Sequence, residues 1–121
     1  MHGLGELEAA VMDVLWEARE PLKVRDVAER LRTGKQLAYT TVMTVLDNLH
    51  RKAWAERELQ GRAYLYQPAF SREEAAARAL REVLDSSGDP EAVLLHFVAS
   101  GSPEETDLLR SALKRKRTRR R

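Results

Sequence analysis

From Leu4 the apolar positions fall at 4, 7, 11, 14, 15 and 18, a three-to-four spacing that predicts a helix with one buried face, stopped by Pro21. After Pro21-Leu22 the set Val24, Val27, Ala28 and Leu31 repeats that spacing in a shorter second helix. This helix lacks a good capping residue at Lys23 and is expected to end at Thr33-Gly34, where glycine accepts a left-handed turn. A third helix, Ala38 to Lys52, places Val42, Val45, Leu46 and Leu49 on one face. At about 100° per residue Thr40, Thr44, Asp47 and Arg51 point the other way, with Met43 and Asn48 on the flanks.

Beyond Lys52 the period changes. Trp54 to Leu59 and Ala63 to Tyr66 alternate as strands do around Gln60-Gly61-Arg62, which predicts a β-hairpin closed by Pro68. Ser71 with Glu74 forms a capping box for a fourth helix, Asp89-Pro90 opens a shorter one, and Ser102 with Glu105 opens a last. Each carries an apolar stripe: Ala76, Leu80, Val83 and Leu84; then Val93, Leu94, Phe97 and Val98; then Leu108, Leu109, Ala112 and Leu113.

The chain is therefore expected to be mainly α with a small β-hairpin. A winged helix-turn-helix covers residues 1–70, a three-helix dimerisation region 71–113, and a basic tail 114–121 that is expected to be disordered. Segment 71–113 is close to the size of about 40 residues below which a unit seldom holds together without metal, disulfides or a partner. Its stripes, Leu80, Val83, Leu84 and Leu94 among them, are accordingly expected to pair with those of a second identical chain.

Composition narrows the function. With 121 residues and 43% apolar content the chain can bury one sizeable core and little more. No stretch approaches the roughly 20 apolar residues of a membrane span, and no amino-terminal run resembles a signal peptide, so a cytoplasmic protein without membrane insertion is expected. Zero cysteines exclude a disulfide framework, thiol catalysis, zinc fingers and iron-sulfur ligation. His2, His50 and His96 are isolated, with no second ligand at helical spacing. Gly3-Leu4-Gly5 lacks the third glycine of a dinucleotide loop, and no phosphate-binding glycine-lysine signature occurs. Neither an enzyme nor a cofactor is expected.

Charge is divided along the chain. The run 114–121 holds seven of the 21 basic residues, which leaves 14 bases against 19 acids in the body. Within the body, residues 32–62 carry six bases against Asp47, Glu56 and Glu58, whereas 71–113 carry four against nine acids. Nucleic acid is therefore sought in the middle of the chain and a protein partner in its acidic part.

A third helix of this kind suits the major groove, which is about 12 Å wide. Thr40, Thr41 and Thr44 offer hydroxyls to phosphates or base edges and methyls to thymine, and Met43 flanks them. Tyr39 stands at the helix start, where backbone N–H groups also face phosphate. Arg51 and Lys52 are expected to reach the DNA backbone, and Arg62 at the hairpin tip, with Arg57 behind it, to lay cations along the adjacent groove. Tyr64 and Tyr66 are expected to brace the hairpin. Asp47 would repel phosphate unless it accepts from a cytosine amino group or pairs with Arg51 four residues on. The tail would bind any polyanion without regard to sequence. A winged-helix protein-protein adaptor using the acidic carboxyl-terminal face remains the alternative.

Leu4 to Trp16, Ala38 to Leu49 and Gly61 to Pro68, in this order, resemble the corresponding blocks of the penicillinase repressor family (BlaI/MecI/CopY type), and the likeness extends to about Leu113. The resemblance implies a homodimeric winged-helix repressor on an inverted-repeat operator, silencing β-lactamase-type, cell-wall or transport genes and hence bearing on antibiotic resistance. It implies that the region Ala38 to Arg51 enters the major groove, that the hairpin is the wing, and that the last helices dimerise. In the penicillinase branch a membrane-bound sensor metalloprotease pathway leads to cleavage at an Asn-Phe pair. That pair falls on His96-Phe97, where phenylalanine matches and asparagine does not. Met43 and Asn48 replace residues that are basic or amide, and arginine, in many relatives. Ala53 stands where glycine is common, a position expected to take a positive φ. The cysteine cluster of the copper-responsive relatives is absent.

Overall fold

The structure, a computed structural model, describes residues 3–31 and 37–119. Its elements are α1 (Glu6–Glu17), α2 (Val24–Arg30), α3 (Tyr39–Arg51), β1 (Ala55–Gln60), β2 (Ala63–Pro68), α4 (Arg72–Ser86), α5 (Pro90–Ser100) and α6 (Pro103–Arg119). They form two compact units, Met1–Ala79 and Leu80–Arg121. The fold class is the expected one, mainly helical with one antiparallel hairpin.

The first unit is built around the stripes read from the sequence. Val11, Met12, Val14 and Leu15 of α1, Val24 and Val27 of α2, and Val42, Val45, Leu46 and Leu49 of α3 are all buried in one cluster with Leu22, Ala55 and Tyr66. Met12, outside the predicted apolar stripe of α1, is also fully enclosed. Burial of each such side chain contributes about 1.5–3 kcal/mol.

Helix ends follow local chemistry. Ser71 and Glu74 exchange side-chain and backbone hydrogen bonds, as do Ser102 and Glu105, and the Asp89 carboxylate accepts from the Ala92 N–H. Lys23, a poor cap, is compensated by Asp26, whose carboxylate accepts from the Lys23 N–H at 3.1 Å. Leu31 is already extended (φ −65°, ψ 125°), so α2 is shorter than its apolar spacing predicted. Leu31 packs on the core from outside the helix, which lets tertiary burial set the exit. The expected stop at Thr33-Gly34 lies outside the described residues.

The hairpin pairs Ala55 with Pro68 through Gln60 with Ala63, leaving Gly61-Arg62 as a two-residue turn in which Gly61 takes φ +64°. Leu22 adds a third, single-residue strand: its N–H donates to the Tyr66 carbonyl at 2.9 Å and its carbonyl accepts from the Tyr66 N–H at 2.8 Å. This bridge, unread in the sequence because one residue has no period, fastens the wing to the body.

The division between units falls inside α4, not ahead of it at residue 71. Ala75 is fully buried, Arg72 pairs with Asp13 at 3.2 Å, and the Arg78 guanidinium lies 4.1 Å from the Phe70 ring centroid, all within the first unit. In the second unit none of the described side chains is buried, and Leu80, Val83, Leu94, Leu95, Phe97, Val98, Leu108, Leu109 and Leu113 are exposed. The basic run was expected to be disordered, but α6 continues through it to Arg119. Lys and Arg are good helix formers, and cations suit a helix carboxyl terminus.

Candidate nucleic-acid interface

Four aliphatic side chains hold α3 from beneath at i, i+3, i+4 and i+7, so its opposite face is fixed without being covered. That face presents Tyr39, Thr40, Thr41, Met43 and Thr44, all exposed. The Thr44 hydroxyl donates to the Thr40 carbonyl at 2.9 Å, which commits its proton and leaves its lone pairs and methyl for a partner. Ala38, at the N-cap, has no side chain that can accept, so the first N–H groups of α3 carry no side-chain cap.

The carboxyl-terminal end of α3 is closed by a Schellman motif. The Ala53 N–H donates to His50 and the Trp54 N–H to Leu49, with Ala53 at φ 65°. The expected positive φ is thus present, on a residue with a Cβ. The turn aims the chain into β1 and seats Trp54 against Trp16 (centroids 6.4 Å) and Phe70 (5.1 Å), while the Trp16 indole N–H donates to the Phe70 carbonyl at 2.9 Å.

The basic residues expected at the interface have different situations. Arg62 stands exposed at the wing tip with no ion pair among the described residues. Lys52 is committed within the body: its Nζ lies 2.8 Å from Glu8 Oε1. The Gly5 N–H and then Lys52 stabilise the charged Glu8 carboxylate and hold it below the usual range, against some opposing burial. Arg51 pairs with Asp47 at 3.5 Å and hydrogen-bonds Asn48. Arg57 reaches Asp47 at 3.0 Å and the Tyr66 hydroxyl at 3.4 Å, and its guanidinium stacks 4.2 Å from the Tyr64 centroid. The Tyr66 hydrogen bond first, and Asp47 after it, favour the charged guanidinium. Tyr64 and Tyr66 lie edge to face at 6.3 Å in the hairpin they were expected to brace. The Asp47–Arg51 pair was anticipated from the four-residue spacing; the Asp47–Arg57 pair was not, because no periodicity links a helix to the strand that follows it.

Residues 4–115 match the protein family described as Penicillinase repressor. The transcriptional regulator BlaI of Mycobacterium tuberculosis is 44% identical over 113 residues, covering 91% of this chain and 82% of that protein. The chain belongs to the penicillinase repressor family. It is a transcriptional regulator of the repressor type on a winged-helix scaffold, and the family is not one of enzymes. The solution structure of the BlaI repressor's DNA-binding domain is similar in fold, with a TM-score of 0.52 at 22% identity, covering 60% of this chain and 87% of that one. MepR, a regulator of the Staphylococcus aureus multidrug efflux pump MepA, shares the fold at a TM-score of 0.50 and 18% identity, over 98% of this chain and 82% of MepR. A MepR mutant bound to an oligodeoxyribonucleotide gives 0.51 at 18% identity, over 98% and 80%. Among the described residues no helix is long and apolar enough to cross a membrane, and no group of three or more His, Asp or Glu is placed to hold a metal ion.

Proposed function

We propose that this repressor binds an inverted-repeat operator as a homodimer in the cytoplasm, with α3 of each chain in the major groove and each β1–β2 wing on the adjacent backbone. The observation that carries this reading is the exposed row Tyr39, Thr40, Thr41, Met43 and Thr44 on a helix anchored by four buried aliphatics, together with Arg62 exposed at the wing tip. The threonines and Met43 would meet base edges, while Tyr39, Arg62 and the guanidinium of Arg51 would meet phosphates. Lys52 and Arg57 would contribute mainly through their field, since both have protein partners and are less exposed than Arg51.

The exposed leucines of α4, α5 and α6 support pairing with a second copy, which would bury them in a shared core. Two coupled half-sites make the second contact nearly intramolecular, with gains on the order of 10² to 10⁴. Splitting the dimer would therefore release the operator. A membrane sensor protease pathway would have to act at His96-Phe97 in α5, where Phe97 is 53% exposed.

The test is selection of bound fragments from random DNA, followed by salt titration. A repressor selects a palindrome, prefers it to scrambled duplex by at least about 10³, and loses affinity steeply between about 50 and 200 mM salt. An adaptor does neither.

A further inference from the structure

The structure assigns Asp47 a specificity-determining role in DNA binding, that of a carboxylate which restrains Arg51 and Arg57 so that sequence-blind phosphate attraction is held down; this rests on the reading of α3 and the wing as the DNA-binding surface. Asp47 is an acid in the most basic part of the body, on the face of α3 turned away from the core. Its Oδ1 lies 3.0 Å from Arg57 Nη1 on β1, and its Oδ2 lies 3.5 Å from Arg51 Nε one helical turn on. One carboxylate thus serves two cations and ties α3 to the wing.

The two guanidinia are held unequally. Arg57, 24% exposed, is also stacked on Tyr64 and bonded to the Tyr66 hydroxyl, so its position is fixed by three groups. Arg51, 68% exposed and bonded also to Asn48, can swing away at little cost. A phosphate approaching either must compete with Asp47. Non-specific binding is almost wholly phosphate attraction in any register, so a freed guanidinium can take whichever phosphate it reaches, whereas the base-edge contacts of operator binding fix one register and with it the phosphates within reach, where Arg51 already makes its contact. Removing the charge should therefore help the wrong DNA more than the right one.

The test uses the full chain, with the selected palindrome and a scrambled duplex of equal length titrated across salt. Asp47→Asn, which keeps the side chain's shape, is expected to raise affinity for scrambled DNA about tenfold and to steepen its salt slope by about one, the increment of one more phosphate contact. Operator affinity should change less than about threefold, so discrimination falls. Asp47→Glu should retain discrimination, and adding Arg57→Gln to Asp47→Asn should remove the gain in slope. A carboxylate that merely braced the wing would instead weaken both duplexes alike and lower the melting temperature. Equal changes on the two duplexes, in either direction, overturn the proposal. A wild-type chain that shows no preference for any palindrome overturns the DNA reading beneath it, so the two failures are distinguishable.

Discussion

Ala53 holds the left-handed turn after α3 with φ 65°, a conformation in which a Cβ meets the neighbouring carbonyl. Because both Schellman hydrogen bonds are formed, the strain is endured and not relieved. Ala53→Gly is expected to stabilise the winged helix by about 1 kcal/mol, the left-handed penalty less the entropy of a freer unfolded chain, as read from urea midpoints. Glu8 is a second residue whose environment has a measurable consequence. Its folded-state pKa lies below the usual 4.5, so its contribution to stability is fully present above that value and is lost as pH falls through the depressed one. The stability difference between wild type and Glu8→Gln should therefore be constant above about pH 5 and shrink towards pH 3, measured by denaturation at each pH. A difference that grew on acidification would contradict the assignment. The Ala53 conformation was legible only through the family resemblance, which implies a glycine at that position. The Glu8–Lys52 pair joins positions 44 apart and had no trace in local pattern.

Among the elements, α3 was legible because its two faces carry different chemistry: Val42, Val45, Leu46 and Leu49 inside, threonines outside. Leu46→Ala should cost about 2–5 kcal/mol through lost contacts and the cavity left behind, whereas Thr41→Ala should leave the fold unchanged. Thr41→Ala is expected to reduce operator affinity by roughly 1 kcal/mol, the scale of one hydrogen bond, with dimerisation intact. Arg62→Ala should weaken binding to all sequences and lower the salt slope by about one, as gel-shift titration at several ionic strengths would report. Unchanged affinity in either variant removes that residue from the interface. The ends of elements were harder to read. The exit of α2 is decided by where Leu31 finds the core, and the third strand is a single residue, Leu22, whose partner Tyr66 lies across the unit. Arg57 was placed behind the wing tip by sequence, but that it leans on Asp47 depends on how β1 leaves α3, which only the folded chain specifies.

At the scale of the whole chain, the apolar stripes of α4, α5 and α6 were visible from spacing and Leu95, 65% exposed, was not, because it stands beside the stripe counted for α5. Sedimentation at micromolar concentration should report a dimer, and Leu109→Asp should shift it towards monomer while the winged helix keeps its melting transition. Deleting residues 114–121 should lower affinity for every duplex alike and flatten the salt slope, because α6 carries Lys114, Arg115, Lys116 and Arg117 on a continuous helix without reference to bases. A change in preferred sequence on deletion would refute a sequence-blind role. That no described side chain beyond Ala79 is buried has a further corollary. If a second copy supplies the missing packing, a solitary molecule leaves its final helices open to trypsin-like attack at sites such as Arg81 and Arg110, while a crowded population shields them. Half-life would then rise with abundance, and surplus or scarcity of the regulator would be felt first as a change in its own turnover.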